Sequence, residues 1–149
     1  MKHRIIIAVC LLGLLGACNS DKKEIRRVAQ GYLDATGNYL IDEAMPYANQ
    51  QTQETTLKFL NETLIPITPK EYLESNTPAT IHIDSIDVQG DTACVSYTKT
   101  TPIKTLSSKI DVVREESGWL VNVPLILPES MTVNGMTHEA VPNGEVVAE

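Results

Sequence analysis

The chain has 149 residues, 42% of them hydrophobic, with 12 basic and 19 acidic side chains and a net charge of −7. That length suits one domain with tails. The acidic balance, with no basic stripe carrying interleaved aromatics, argues against nucleic acid as a partner, because phosphates repel such a surface.

The chain opens on the basic stretch Met1-Lys2-His3-Arg4 and continues with an uncharged apolar run from Ile5 to Leu15. A membrane-spanning helix needs about 20 apolar residues, and this run is shorter. A basic n-region, an apolar h-region and the small residues Gly16 and Ala17 predict a signal peptide over residues 1–17. Leu15-Gly16-Ala17-Cys18 resembles the lipobox of bacterial lipoproteins: a branched apolar residue, two small residues and a cysteine. The resemblance implies cleavage before Cys18 and lipid on its thiol, with residues 18–21 as a short lipidated tether. The first partner is then a membrane, held through the N-terminal lipid, where each buried CH₂ contributes ~0.8 kcal/mol. Asn19 follows the cysteine where an Asp would favour inner-membrane retention, so the expected place is the cell envelope, with the outer membrane favoured over the inner. Processing removes Lys2 and Arg4, leaving 10 basic and 19 acidic side chains and a net charge of −9. It also removes Cys10, so Cys94 stands alone, with no internal disulfide to form. A lone cysteine in a strand reads as a small buried hydrophobe.

The domain is expected over residues 22–127. Ile25, Val28, Ala29, Tyr32 and Leu33 fall at helical spacing and predict a helix from Lys22 to Thr36, with Asp21 as N-cap and Gly37-Asn38 as its end. A short helix follows over Asp42–Asn49, capped by Asp42 with Pro46 near its start. A third runs from Thr52 to Leu64, with Leu57, Leu60 and Leu64 on one face and Phe59 beside them. Thr68-Pro69-Lys70-Glu71 reads as a capping box opening a further turn or two of helix through Glu74.

After Pro78 the apolar period changes to two. Ile81 and Ile83 alternate, then Ile86 and Val88 on the other parity, which predicts a bulge near Asp84-Ser85. Gln89-Gly90-Asp91 makes a hairpin turn into a second strand whose inward residues are Ala93, Val95 and Tyr97. Thr101-Pro102 opens a longer connection. Leu106, Ser108, Ile110 and Val112 give a third strand, and Glu116-Ser117-Gly118 a second tight turn. Trp119, Val121 and Val123 give a fourth strand. Helices first and strands afterwards read as α+β, with the helices on one face of a four-stranded antiparallel meander. Residues 128–149, with Pro128, Gly135, Pro142 and Gly144 among few large apolar residues, read as a disordered tail.

Taken in order, these features resemble a known group. The lipobox leads to an Ile25-to-Leu33 helix and a Gly37-Asn38-Tyr39 turn before Asp42-Glu43-Ala44. A meander follows, carrying Asp91-Thr92-Ala93-Cys94-Val95-Ser96-Tyr97 and Gly118-Trp119-Leu120-Val121. The chain is similar over residues 22–123 to small Gram-negative lipoproteins of unknown function with a nuclear transport factor two-like, or cystatin-like, domain. It departs from them at Leu40-Ile41, which reads as an insertion. The resemblance implies a curved sheet rolled around helices into a cone with room for a pocket.

Candidate chemistry is sparse. His82 and Asp84 share one face of a strand, with Asp87 near them. A His–Asp pair suits acid–base work, but the opposite face carries Ile81 and Ile83, which puts the pair on the solvated side. Tyr32, Tyr97 and Trp119 stand on apolar faces as candidate pocket-lining residues, weighed against plain core packing. Asp111, Glu115 and Glu116 read as a soluble face. There is no phosphate loop, nucleophile elbow or metal-ligand set, and no cofactor is expected. The reading that emerges is a lipid-anchored, non-enzymatic module that binds a small ligand or an envelope protein. An enzyme of the isomerase or dehydratase type, with a pocket inside the cone, is the alternative.

Overall fold

The computed structural model describes residues 2–126, with side chains from Asn19 onward. The expected tail over 128–149 and the side chains of the expected signal peptide and of Cys18 lie outside the described residues.

Helix α1 (Lys2–Gly37) buries Ile25, Val28, Ala29, Tyr32 and Leu33, the stripe that the helical spacing predicts. Its start differs from expectation. The helix runs through Asp21 instead of being capped by it. The carboxylate serves the sheet: it accepts from Arg114 Nη2 and, at 3.4 Å, from Trp119 Nε1. Because the helix continues through this point, the backbone N–H groups here already have partners, and the carboxylate is left to make a charge-assisted bond to the guanidinium.

The end of α1 is a complete Schellman turn. Leu40 N–H reaches Ala35 O at 2.9 Å and Tyr39 N–H reaches Thr36 O at 3.2 Å. Such turns need one left-handed residue, usually glycine; here Tyr39 takes it, at φ 61°. Asn38 then ties the helix end to the sheet, accepting from Ala79 N–H at 2.8 Å and donating to Ala79 O at 3.1 Å.

Helix α2 (Ile41–Ala44) is a single turn that passes into a 3-10 turn at Met45–Tyr47. Leu40, and not Asp42, holds its capping position; Asp42 sits inside the first turn, where a carboxylate meets the positive end of the helix dipole. Asn49 does not end this helix but caps the next, its Oδ1 accepting from Thr52 N–H at 3.0 Å.

Helix α3 covers 50–67 and contains two π-type segments, Gln53–Leu57 and Leu60–Leu64. Leu57 is fully buried and Leu60 packs on the core, but Leu64 is exposed. The i→i+5 winding rotates it off the face that a 3.6-residue period assigns. Helix α4 (Lys70–Ser75) lacks the expected capping box. Pro69 stands at its cap, and Thr68 Oγ1 donates back to Leu64 O at 2.7 Å, closing α3 instead.

The strands are β1 (Thr80–Gln89), β2 (Thr92–Thr100), β3 (Thr105–Glu115) and β4 (Gly118–Val121), antiparallel in the order β1-β2-β3-β4. The register slips between Ile83 and Ser85, so the bulge falls where the change of parity placed it. Gly90 at φ 63° and Gly118 at φ 117° turn the two tight connections. A side chain at Gly118 would also meet Glu24 Oε1 at 2.7 Å.

Helices on one face of an open four-stranded meander make an α+β fold consistent with the cystatin-like class. Ala93, Val95, Ile110, Val112, Trp119 and Val121 face inward and are buried, with Tyr97 and Val123 packed against them. Burying a side chain of Val or Ile size contributes roughly 1.5–3 kcal/mol. The same row of β3 ends in the open, with Ser108 and Leu106 exposed.

Both sheet edges bond to helices. Along β1, Gln30 Nε2 donates to Ile81 O at 3.2 Å and Arg26 Nη1 to Ile83 O at 3.5 Å. Along β4, Val121 O accepts from Asn49 N–H at 2.9 Å, and Val123 N–H donates to Thr52 Oγ1 at 2.9 Å.

Candidate functional site

The three aromatic candidates do not share one environment. Tyr32 is 4% exposed, on the buried stripe of α1. Burial, with Tyr97 nearby, pushes its phenol up to about 12. Trp119 is fully buried beneath Arg114, whose Cζ lies 4.7 Å from the ring centroid, and its indole N–H is bonded to Asp21. Tyr97 is half-buried at the edge of the core. None of them lines either of two shallow grooves. One, about 300 Å³, lies on the outer face of the sheet around Asp87, Cys94, Asp111 and Asn122. The other, about 350 Å³, lies between α1 and α2 around Gly31, Asp34, Asn38 and Tyr47.

Cys94 is half-buried on that outer face, paired across the sheet with Asp87 and Asp111, and not the core hydrophobe that a lone strand cysteine suggests. Its parity is opposite to that of Ala93 and Val95, which take the core. The His82 side chain is 81% exposed, with Nε2 3.9 Å from Asp84 Oδ1. Asp84 also accepts from Thr98 Oγ1 at 2.9 Å. The pair lies on the solvated face, as the alternation with Ile81 and Ile83 predicts. Asp111, Glu115 and Glu116 are exposed. Among the described residues, no group of three or more His, Cys, Asp or Glu side chains could hold a metal ion, and no helix is long and apolar enough to cross a membrane.

A cluster that the sequence did not single out forms where α1 ends. Lys99 lies in the inward row between Ile81 and Leu106. Its stem passes Gly37, where a Cβ would stand 3.8 Å from Lys99 Cε. Its Nζ sits 5.9 Å from the centroid of the Tyr39 ring. Lys104 is set by the β2–β3 connection. Thr101 N–H donates to Lys104 O at 2.8 Å, and Lys104 N–H donates to Thr101 Oγ1 at 3.2 Å. Lys104 Nζ lies 5.8 Å from the Tyr72 ring centroid and donates to the Tyr72 hydroxyl at 3.4 Å. These residues are scattered along 66 positions of the chain, from Tyr39 to Lys104. The one local sign was a tyrosine following Gly37-Asn38, where a helix end favours glycine.

No protein-family model matches the chain, and neither a curated protein nor a solved structure matches it.

Proposed function

We propose that the chain is a lipid-anchored protein of the cell envelope, modified at Cys18, whose nuclear transport factor two-like domain binds a ligand or partner without chemistry of its own. The observation that carries the anchor is Leu15-Gly16-Ala17-Cys18 at the end of a basic and then apolar leader. Support for a binding module over an enzyme comes from the buried polar side chains. Asn49 caps α3, and Thr52 joins α3 to β4. Asn76 closes α4 on Tyr72 O, and Thr101 closes the β2–β3 turn. Each is engaged in holding the fold.

The test is Cys18→Ala in the full chain. The unaltered chain incorporates labelled palmitate and sediments with membranes; the variant takes up no label and leaves the membrane fraction. Retention of label by the variant overturns the anchor. Native mass spectrometry of the same preparation reads the binding half: a stoichiometric added mass supports it, and a bare chain under all purification conditions counts against it.

A further inference from the structure

Three features of the Lys99–Lys104 cluster bear on what it could hold. The first is charge. The chain carries 19 acidic side chains, yet among the described residues neither lysine is within ion-pair distance of a carboxylate. The strand register brings them together, with Lys99 paired to Leu106 and Thr100 to Thr105 beside Lys104, and the Lys99 ammonium is pushed down by burial and then by Lys104. The second is backbone. The turn that ends α1 needs a left-handed residue, a conformation that costs a non-glycine residue roughly 1–2 kcal/mol, and tyrosine in place of glycine there sets a ring near Lys99. The third is apolar surface. Ile103 is 57% exposed and Leu106 is 52% exposed, on either side of Lys104 and Thr105.

We propose that Lys99 and Lys104, seated over the rings of Tyr39 and Tyr72, bind the phosphate of an organic phosphate monoester whose apolar part rests on Ile103 and Leu106. Two ammonium groups match the charge of about −1.5 to −2 on such a phosphate. Lysine binds phosphate as a point charge, and a pair of ammonium groups suits a dianion better than the single charge of a carboxylate. Tyr72 accepts from Lys104 and keeps its own O–H to donate to the anion. The site lies at the far end of α1 from Asp21, about 24 Å of helix away. This assignment rests on the binding-module half of the reading above and not on the lipid anchor.

The test follows lysine side-chain NMR signals of the full chain, as purified from cells, during titration with phenyl phosphate, inorganic phosphate and benzoate at constant ionic strength. The expected result is saturable shifts of the Lys99 and Lys104 signals, tightest with phenyl phosphate and weakest with benzoate. Lys99→Gln and Lys104→Gln should each weaken binding about tenfold, as charge-assisted hydrogen bonds of this kind imply. Uniform shifts at every lysine, or saturable shifts confined to other residues, overturn the site. Benzoate binding as tightly as phenyl phosphate overturns the phosphate assignment, and inorganic phosphate binding as tightly overturns the apolar contact. The map on the unaltered chain stands if a variant fails to fold. Failure of this site would leave palmitate labelling of Cys18 and a co-purified mass of any other kind unchanged, so it is distinguishable from failure of the broader reading.

Discussion

Tyr32 carries an ionisable group into the core, and this gives stability a dependence on pH at the alkaline end. The phenol titrates near 10 in the unfolded chain and at about 12 in the folded one. Between those values the folded state binds more protons than the unfolded state, so stability falls as pH rises. The contribution is complete below pH 10 and is lost as pH climbs through about 12, in all roughly 2–3 kcal/mol. Tyr32→Phe keeps the ring and removes the titration. The variant should therefore lose less stability than the unaltered chain between about pH 9 and 11.5, as read from urea midpoints. Parallel loss in both chains would show that the Tyr32 phenol does not titrate differently on folding.

At the scale of elements, the junction of α3 with the segment after β4 turns on one side chain. Thr52 is fully buried; it donates to Val121 O at 3.3 Å and accepts from Val123 N–H at 2.9 Å. Thr52→Val preserves shape but leaves the Val123 N–H without its acceptor, at a cost of about 1–3 kcal/mol. Urea unfolding measures it, and a neutral substitution would mean that water or Asn49 takes over. The same junction shows why some elements were legible in the sequence and others were not. The α1 stripe and the alternating strands, bulge included, follow from a period that each residue reads locally. The register of α3 does not, because its π segments change the period within the helix. Asp21 and Thr68 look like caps from their neighbours, but distant or preceding groups claim their oxygens: Arg114 lies 93 residues away, and Leu64 O closes the helix before. The pair at Lys99 and Lys104 stayed hidden because a strand, the β2–β3 connection, the end of α1 and helix α4 each supply one of its four residues.

For the molecule as a whole, α1 is fixed to the sheet at two points. Asn38 holds its C-terminal end. At mid-helix, Arg114 stacks on Trp119, pairs with Asp21, and places Nε 3.5 Å from Asp91 Oδ1. The Arg114 and Asp21 side chains are partly exposed, so solvent and salt screen the pair. A double-mutant cycle of Asp21→Ala with Arg114→Ala should give a coupling of about 0.5–1 kcal/mol that shrinks in high salt. Zero coupling would assign the hold to Trp119 packing alone.

A sheet of four strands that does not close on itself has two flanks with unused amides and carbonyls, which in many proteins recruit a second chain. Here helices and their caps occupy part of each. Gln30, Arg26 and Asn38 cover the first half of β1, a bulge at Asp84 interrupts the remainder, and Asn49 and Thr52 hold the Val121 end of β4. A second copy adding a strand would meet side-chain caps along the first half of β1 and at the Val121 end of β4.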